Sequence, residues 1–490
     1  MTVMPNWLDK RAYLTPHKEA IVLNDGSKYT FKQLQHDAKS YAAYLKRQGF
    51  NKGDHIALLS SNCYEFAVVI HAFHYIGAVA FLLNTRLTAP ELLFQLKDGK
   101  VKGLIYHSKY KEVANTLSEQ AHLQLITMSA PREEEITDYE TEIDLDEVSH
   151  ILYTSGTTGN PKGVQLTYGN HYWNASSSAL NLGLHQDDRW LLSLPMFHVG
   201  GLSILYRSVI YGMPVHLHEK FDVEAIHRDI MERGVTIVSV VTLMLEQLMD
   251  RLGQEQYPNT FRCMLLGGGP APKTLVEQCQ NRKVPVFQTY GMTETASQFC
   301  TLDEDHMLAK IGSSGKPLFP GQLKVVENED ECPANTVGEI VVKGPNVTRG
   351  YWKREQANRE DFQNGWFKTG DLGYLDDDGF LYVVDRRKDL IISGGENVYP
   401  AEIESVLKGH NDIQDAGVVG IQDDRWGEVP ITFIVKKDQS LMEEDVINYA
   451  TQQLAKYKVP KQVYFIDELP RNASRKLQRH KLLEFIKGEK

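Results

Sequence analysis

Short apolar runs and helically spaced apolar residues alternate from early in the chain. Ile56-Ala-Leu-Leu-Ser60 has the length and bulk of a buried strand, Glu65 to Tyr75 repeats its apolar positions as a helix does, and Ala78-Val-Ala-Phe-Leu-Leu83 returns to strand. Pro90 to Leu96 predicts a helix and Gly103-Leu-Ile-Tyr106 a further strand. The rhythm resumes after residue 180, with strands predicted at Trp190–Leu194, Val235–Val241, Cys263–Gly267 and Val284–Val286. Such alternation predicts largely parallel sheets covered by helices. Beyond about residue 320 the segments become shorter and more β-like: Gln322–Val326, Gly338–Val342 and Phe380–Val384. The charged run Asp385-Arg-Arg-Lys-Asp389 follows, with the makeup of an exposed linker. After it come separate patterns, including Ile403–Leu407 and Glu443–Leu454. The expected fold is therefore α/β. Residues 1–384 form a large N-terminal domain of layered mixed and parallel sheets with helices, β-rich from about 320. Residues 385–389 are a hinge and 390–490 a small α+β domain. Glu133–Glu147, rich in acids, reads as an exposed connector.

Composition narrows the class of protein without choosing a reaction. Of 490 residues, 42% are hydrophobic and 24% charged, as in ordinary globular proteins. A formal charge of −11 argues against nucleic acid as a partner. The five cysteines (Cys63, Cys263, Cys279, Cys300, Cys332) are scattered and include no Cys-x-x-Cys pair, which fits reduced thiols better than disulfides or zinc. No apolar run approaches membrane-spanning length, and the first residues lack a secretory pattern. A soluble cytoplasmic protein with no membrane partner is expected, and homo-oligomerisation is compatible with the chain.

Candidate chemistry begins at Tyr153-Thr-Ser-Gly-Thr-Thr-Gly-Asn-Pro-Lys-Gly163. Its glycines let backbone amides approach an anion, Thr154, Ser155, Thr157 and Thr158 add donors beside Gly156, and Lys162 adds a compact positive charge. The segment is a candidate phosphate grip, although a plain flexible turn has similar composition. It lacks the Gly-Lys-Ser/Thr ending of kinase-type loops. Gly267-Gly-Gly-Pro-Ala-Pro272, which includes Gly268 and Gly269, could lie flat against a planar ring or be a structural turn. In Tyr290-Gly-Met-Thr-Glu294, Tyr290 beside Gly291 could stack on a purine, Thr293 could donate to phosphate, and Glu294 could hold magnesium. A simple helix start would look the same. Thr369-Gly-Asp371 reads as a turn between strands whose carboxylate could accept from ribose hydroxyls or close an Asx-turn. Arg386 could reach the same sugar or a phosphate, or be a solvated linker residue. His198, in Pro195-Met-Phe-His-Val-Gly-Gly201, suits a pocket wall as well as a core, and His150 reads as structural.

In this order the motifs Tyr153–Gly163, Tyr290–Glu294, Thr369-Gly-Asp371, Arg386–Glu404 and the basic segment around Lys476 resemble the adenylate-forming enzymes, which include acyl-CoA synthetases. The resemblance runs from near the N-terminus to about residue 480. It implies ATP, Mg2+ and coenzyme A as ligands of an enzyme that adenylates a carboxylic acid and passes the acyl group to the thiol. It also implies that the C-terminal domain is a mobile lid. Lys476 matches the adenylation lysine, Lys162 and the loop hydroxyls the pyrophosphate grip, and Glu294 the magnesium ligand. Asp371 matches the ribose site, Gly268 and Tyr290 flank adenine, and Gly269 and Arg386 are further ATP-binding positions. Lys388 occupies the hinge position, Gly394 and Gly395 the coenzyme A channel, and His198 the pocket gate. Arg475 stands where the family usually carries glycine. Closer features, among them Asn170-His-Tyr172 and Leu194–Leu202, point within the family to a CoA ligase for an aromatic acid with two carboxylates. Arg207, one helical turn after Ser203 in an apolar stretch, is the candidate partner for the second carboxylate, unless it snorkels outward. Rival readings are a ligase for another aryl or medium-chain acid, a domain loading a carrier protein, and a non-catalytic nucleotide binder.

Overall fold

The computed structural model describes residues 2–129, 138–154, 161–268, 271, 273–385, 390–471 and 477–487. It divides into two compact units. The first comprises Met1–Thr85, Leu96–Leu152 and Gly163–Val384, and the second Arg86–Gln95, Tyr153–Lys162 and Asp385–Lys490.

In the first unit, a nine-stranded sheet runs in the order Lys316–Pro317, Ser297–Leu302, Val286–Met292, Cys263–Gly267, Ile237–Val241, Trp190–Leu192, Val215–Leu217, Glu19–Leu23, Lys28–Thr30. Its interior pairings, from Val286–Met292 across to Glu19–Leu23, are all parallel. The antiparallel pairings are at the two edges. Alternation along the strands explains why they read as continuous apolar runs. Trp190, Leu192, Ile237, Cys263 and Leu265 enter one core, while Leu191, Val238, Met264 and Leu266 enter the other. A sheet buried on both faces needs apolar residues at every position.

A six-stranded sheet, ordered Lys162–Thr167, Val148–Thr154, Val79–Leu82, His55–Leu59, Gly103–Tyr106, Gln124–Thr127, holds the first predicted strands. Helix Tyr64–Ile76 is buried at every position except Glu65. A third, β-rich sheet joins Gln322–Glu327, Gly338–Lys343 and Trp366–Leu375 antiparallel, with Leu381–Asp385 beside the last.

Two local expectations are corrected. The acidic stretch is not simply an exposed connector, because Glu142–Asp144 pairs with Val3–Pro5 and buries Ile143 and Leu145. Thr369-Gly-Asp371 is not a turn. It lies inside strand Trp366–Leu375, opposite a register shift between Glu339 and Val341, with Gly370 at φ +74°. Thr369, Gly370 and Asp371 oppose Ile340 alone, and the two extra residues are taken up as a bulge, in which glycine can adopt positive φ.

The second unit has its own sheet, ordered Glu396–Val398, Ile391–Ser393, Gly427–Lys436, Ile413–Asp423, with Val463–Phe465 parallel to Gly427–Lys436. Helices Pro400–Leu407 and Glu443–Gln453 bury Ile403, Leu407, Val446 and Ala450. Polar contacts hold the segment Arg86–Gln95 to this unit. Lys458 Nζ lies 2.7 Å from both Glu91 Oε1 and Glu402 Oε1, and Arg86 pairs with Glu396. Burial works against the charge on Lys458, but the two carboxylates outweigh it and hold its pKa above the ordinary lysine range.

Candidate active site at the carboxyl edge of the central sheet

Parallel strands leave their connecting loops at the carboxyl edge, where α/β sheets place ligands. In the first unit the candidate residues gather there. Trp190–Leu192 leads to His198, the cap residue of helix Val199–Tyr211. Cys263–Gly267 leads to Gly268, and its neighbour Val286–Met292 carries Tyr290 and Gly291 before the turn Thr293–Thr295. Gly268 has φ +83°, and a Cβ there would stand 3.2 Å from Val241 Cγ1, so a side chain would be strained and crowded.

Two buried carboxylates are each braced by a tyrosine. Glu294, 6% exposed, accepts from Tyr351 Oη at 3.0 Å, and its carbonyl accepts from Thr348 N at 2.7 Å. Among the described residues no lysine, arginine or histidine forms an ion pair with it. A hard oxygen donor held this way, with no cation paired to it among the described residues, fits Mg2+. Asp371, 5% exposed, accepts from Tyr290 Oη at 2.8 Å, while its own amide donates to Thr369 Oγ1 at 3.1 Å. Tyr290 itself is only 2% exposed, so its ring lies in the core and its hydroxyl fixes the Asp371 carboxylate. Two motifs far apart in sequence thus form one unit.

The acid-side candidates lie on helix Val199–Tyr211. His198 is half-buried with its ring 4.7 Å from Phe197. Ser203 Oγ donates to Gly200 O at 3.0 Å. Arg207 does not snorkel: it is 1% exposed, its Nη2 donates to Asn174 Oδ1 at 2.9 Å, and its guanidinium lies 4.9 Å from the Trp190 ring. Burial lowers its pKa from the ordinary arginine value. His150 is structural as read, joined through Tyr206 to His74 in a buried aromatic cluster.

In the second unit, Gly394 and Gly395 form the two-residue turn between Ile391–Ser393 and Glu396–Val398, at φ +58° and +83°. A Cβ on Gly394 would meet Trp426 at 2.7 Å. Thr154 ends one strand and Lys162, buried, begins the next. Ser155, Gly156, Thr157, Thr158, Gly269, Arg386, Lys388 and Lys476 lie outside the described residues.

Sequence reasoning missed Tyr351, Asn174 and Asn62. Asn62 accepts from Met196 N at 2.8 Å and donates to Leu194 O at 2.9 Å, pinning the loop that carries His198. Asn170, Asn174, Ser177 and Ser178 recur at helical spacing on a buried face of Tyr168–Leu182. That polar periodicity was the available signal for Asn174. Nothing local marked Tyr351.

Residues 8–352 match the family model described as AMP-binding enzyme, and residues 402–476 match that of the AMP-binding enzyme C-terminal domain. The chain belongs to the AMP-binding enzyme family. This AMP-binding enzyme is 54% identical to the 2-succinylbenzoate–CoA ligase of Oceanobacillus iheyensis, with 98% of each chain covered. It is 53% identical to that of Bacillus cereus (strain ATCC 10987 / NRS 248), with 99% of each covered. Among solved structures, it matches a double mutant of o-succinylbenzoate CoA synthetase from Bacillus subtilis bound to the product analogue OSB-NCoA. The TM-score is 0.94, with 47% identity and 99% of each chain covered. The Bacillus subtilis enzyme in complex with ATP and magnesium ion matches at TM-score 0.77 and 46% identity, covering 98% of this chain and 100% of that one.

Proposed function

We propose that this chain activates 2-succinylbenzoate with ATP and transfers the acyl group to coenzyme A, releasing AMP and pyrophosphate, in menaquinone (vitamin K2) biosynthesis. The observation that carries the reading is the pair of buried carboxylates, Glu294 under Tyr351 just past the carboxyl end of strand Val286–Met292, and Asp371 under Tyr290 of that strand. The near full-length likeness to 2-succinylbenzoate–CoA ligases supports the choice of acid.

A carboxylate is a poor acyl donor because oxide would have to leave. In the first step its oxygen attacks the α-phosphorus of ATP and pyrophosphate departs, giving an acyl-adenylate. In the second the thiol of coenzyme A adds to the acyl carbon, loses its proton, and AMP leaves. Attacking group and target are both anionic in the first step, so cations must stand between them. Lys476 takes that place, contributing roughly 3–4 kcal/mol, the size of one oxyanion-hole donor. Lys162, with Thr154, Ser155, Thr157 and Thr158, grips the departing pyrophosphate, and Thr293 donates to phosphate. Asp371 holds the ribose, Arg386 reaches the same sugar or a phosphate, and Gly268, Gly269 and the Tyr290–Gly291 strand end flank adenine. Glu294 would hold the magnesium ion, which supplies charge neutralisation at the phosphates.

His198 gates the acid pocket beside Ser203, and the positive field of Arg207 favours the second carboxylate. Arg207 is too buried to contact substrate as it stands, so it acts through its field or an intervening water. Residues 390–490 serve as the lid, turning about Lys388 to bring Gly394 and Gly395 to the pantetheine arm for the second step. The enzyme works in the cytoplasm on small molecules, without nucleic acid or membrane. It is compatible with a homo-oligomer.

The test is product analysis with ATP, Mg2+, coenzyme A and one acid at a time. Succinylbenzoyl-CoA and stoichiometric AMP from 2-succinylbenzoate, with little product from benzoate, coumarate or octanoate, is the expected result. Equal or faster turnover of another acid would move the assignment to that acid.

A further inference from the structure

Arg207 presents an electrostatic problem that its surroundings do not solve. The side chain is 1% exposed, yet among the described residues no carboxylate lies within ion-pair distance of it. Among the described residues its partners are the amide oxygen of Asn174 and the face of Trp190, and none accepts from its Nε. Buried charges are ordinarily paired because an unpaired one costs several kcal/mol. Asn174, itself 1% exposed, occupies the position from which an aspartate of almost identical shape would pair with the guanidinium. The amide is anchored on its other side too, with Nδ2 donating to Gln298 O at 2.9 Å and Thr295 O at 3.4 Å. Both carbonyls lie just beyond Glu294, so one side chain ties the acid-side helix to the turn that carries the metal-side carboxylate.

We propose that Asn174 is a specificity-determining residue, a neutral amide that positions the Arg207 guanidinium without cancelling its charge, so that the pocket selects an acid with a second carboxylate. An uncompensated cation in a low-dielectric interior projects a field much farther than a paired one does. The substrate's second carboxylate is the anion that the fold withholds. This inference rests on the reading of the protein as a succinylbenzoate ligase and adds to it the residue that keeps the selective charge available.

The experiment compares the KM for 2-succinylbenzoate with the competitive inhibition constant of 4-oxo-4-phenylbutanoate, the same molecule without its ring carboxylate. Both are read in acid-dependent exchange of pyrophosphate into ATP. Asn174→Asp supplies the missing counter-charge. It is expected to raise the KM for succinylbenzoate at least tenfold while leaving the inhibition constant of the monoacid within threefold. Arg207→Met should act in the same way, and the double variant should lose no more than either single one. Asn174→Ser, which stays neutral, should keep most of the preference. If Asn174→Asp fails to fold, Arg207→Met and Asn174→Ser decide: preference lost in the first and kept in the second supports the proposal. It is overturned if both acids and ATP weaken together, if neither acid is affected, or if Asn174→Ser abolishes the preference. Absence of succinylbenzoate-dependent exchange in the unaltered enzyme would instead remove the reading on which the inference rests.

Discussion

Tyr351→Phe removes one hydroxyl from beneath Glu294 and leaves the ring that fills the core. A hydrogen bond to a charged group contributes roughly 1.5–3 kcal/mol. The Mg2+ concentration giving half-maximal pyrophosphate exchange should therefore rise about tenfold or more, while the KM for the acid stays near its original value. Titration of exchange rate against Mg2+ checks this, and an unchanged Mg2+ dependence would deny Tyr351 a role in orienting the carboxylate. At this scale the sequence was an uneven guide. Glu294 and Asp371 could be picked out as candidates because their motifs place a carboxylate beside glycine and threonine. Tyr351 and Asn174 were not, since their partners lie 57 and 33 positions away along the chain. The fate of Arg207 was also undecided by its neighbours, because an apolar helix can bury an arginine or let it reach water. Only the packing of Asn174 and Trp190 around its head resolves the choice.

The hairpin at Gly394-Gly395 lends itself to a test of an element. Both residues have positive φ, and Gly394 abuts Trp426. Gly394→Ala adds a left-handed penalty of roughly 1–2 kcal/mol and a clash with the indole. If this turn borders the coenzyme A channel, thioester formation from supplied acyl-adenylate should slow at least tenfold. Acid-dependent pyrophosphate exchange should persist. Equal loss of the two half-reactions would place the turn elsewhere in the cycle. Elements were the best-predicted level. Cys263–Gly267 and Gly103–Tyr106 occur with the expected bounds, and helix Tyr64–Ile76 differs by one residue at each end. Long apolar runs leave little choice where a sheet is covered on both faces. Misreadings occurred where local chemistry conflicts with long-range pairing. Thr369-Gly-Asp371 carries a turn signal, but pairing with Gly338–Lys343 keeps it in a strand and turns the glycine into a bulge. Ile143 and Leu145, set among acids, gained their burial from a strand near the N-terminus.

Across the whole molecule, the buried histidines make stability depend on pH. His71, His74, His150 and His171 lie in one aromatic cluster with Tyr206 and Trp7. Burial pushes His71 and His171 down to about 3, and holds His74 and His150 well below the ordinary value. In the unfolded chain they bind protons near pH 6.5, whereas in the folded protein they stay neutral far below that. The unfolded state thus takes up more protons as pH falls. The stability contributed by the neutral cluster is complete above about pH 6.5 and is lost between there and about pH 3. Each histidine contributes roughly 1.4 kcal/mol per pH unit once the pH is well below 6.5. Melting temperatures at pH 7.5, 6 and 5 should fall with increasing slope, and His71→Phe should lessen that slope. A profile flat to pH 5 would contradict this account. The layered fold and its two-part organisation could be read from the alternation of patterns, but this cluster could not, because its histidines come from three separate segments.

The most direct test of the central claim, that these residues convert an acid into an acyl-adenylate before any thiol arrives, is pyrophosphate–ATP exchange without coenzyme A. With 2-succinylbenzoate and Mg2+ the unaltered enzyme should exchange label, and Lys476→Ala should reduce the rate roughly 100- to 1000-fold. That variant should still convert supplied acyl-adenylate and coenzyme A to thioester. Exchange that requires coenzyme A, or that is indifferent to the loss of Lys476, would contradict the account.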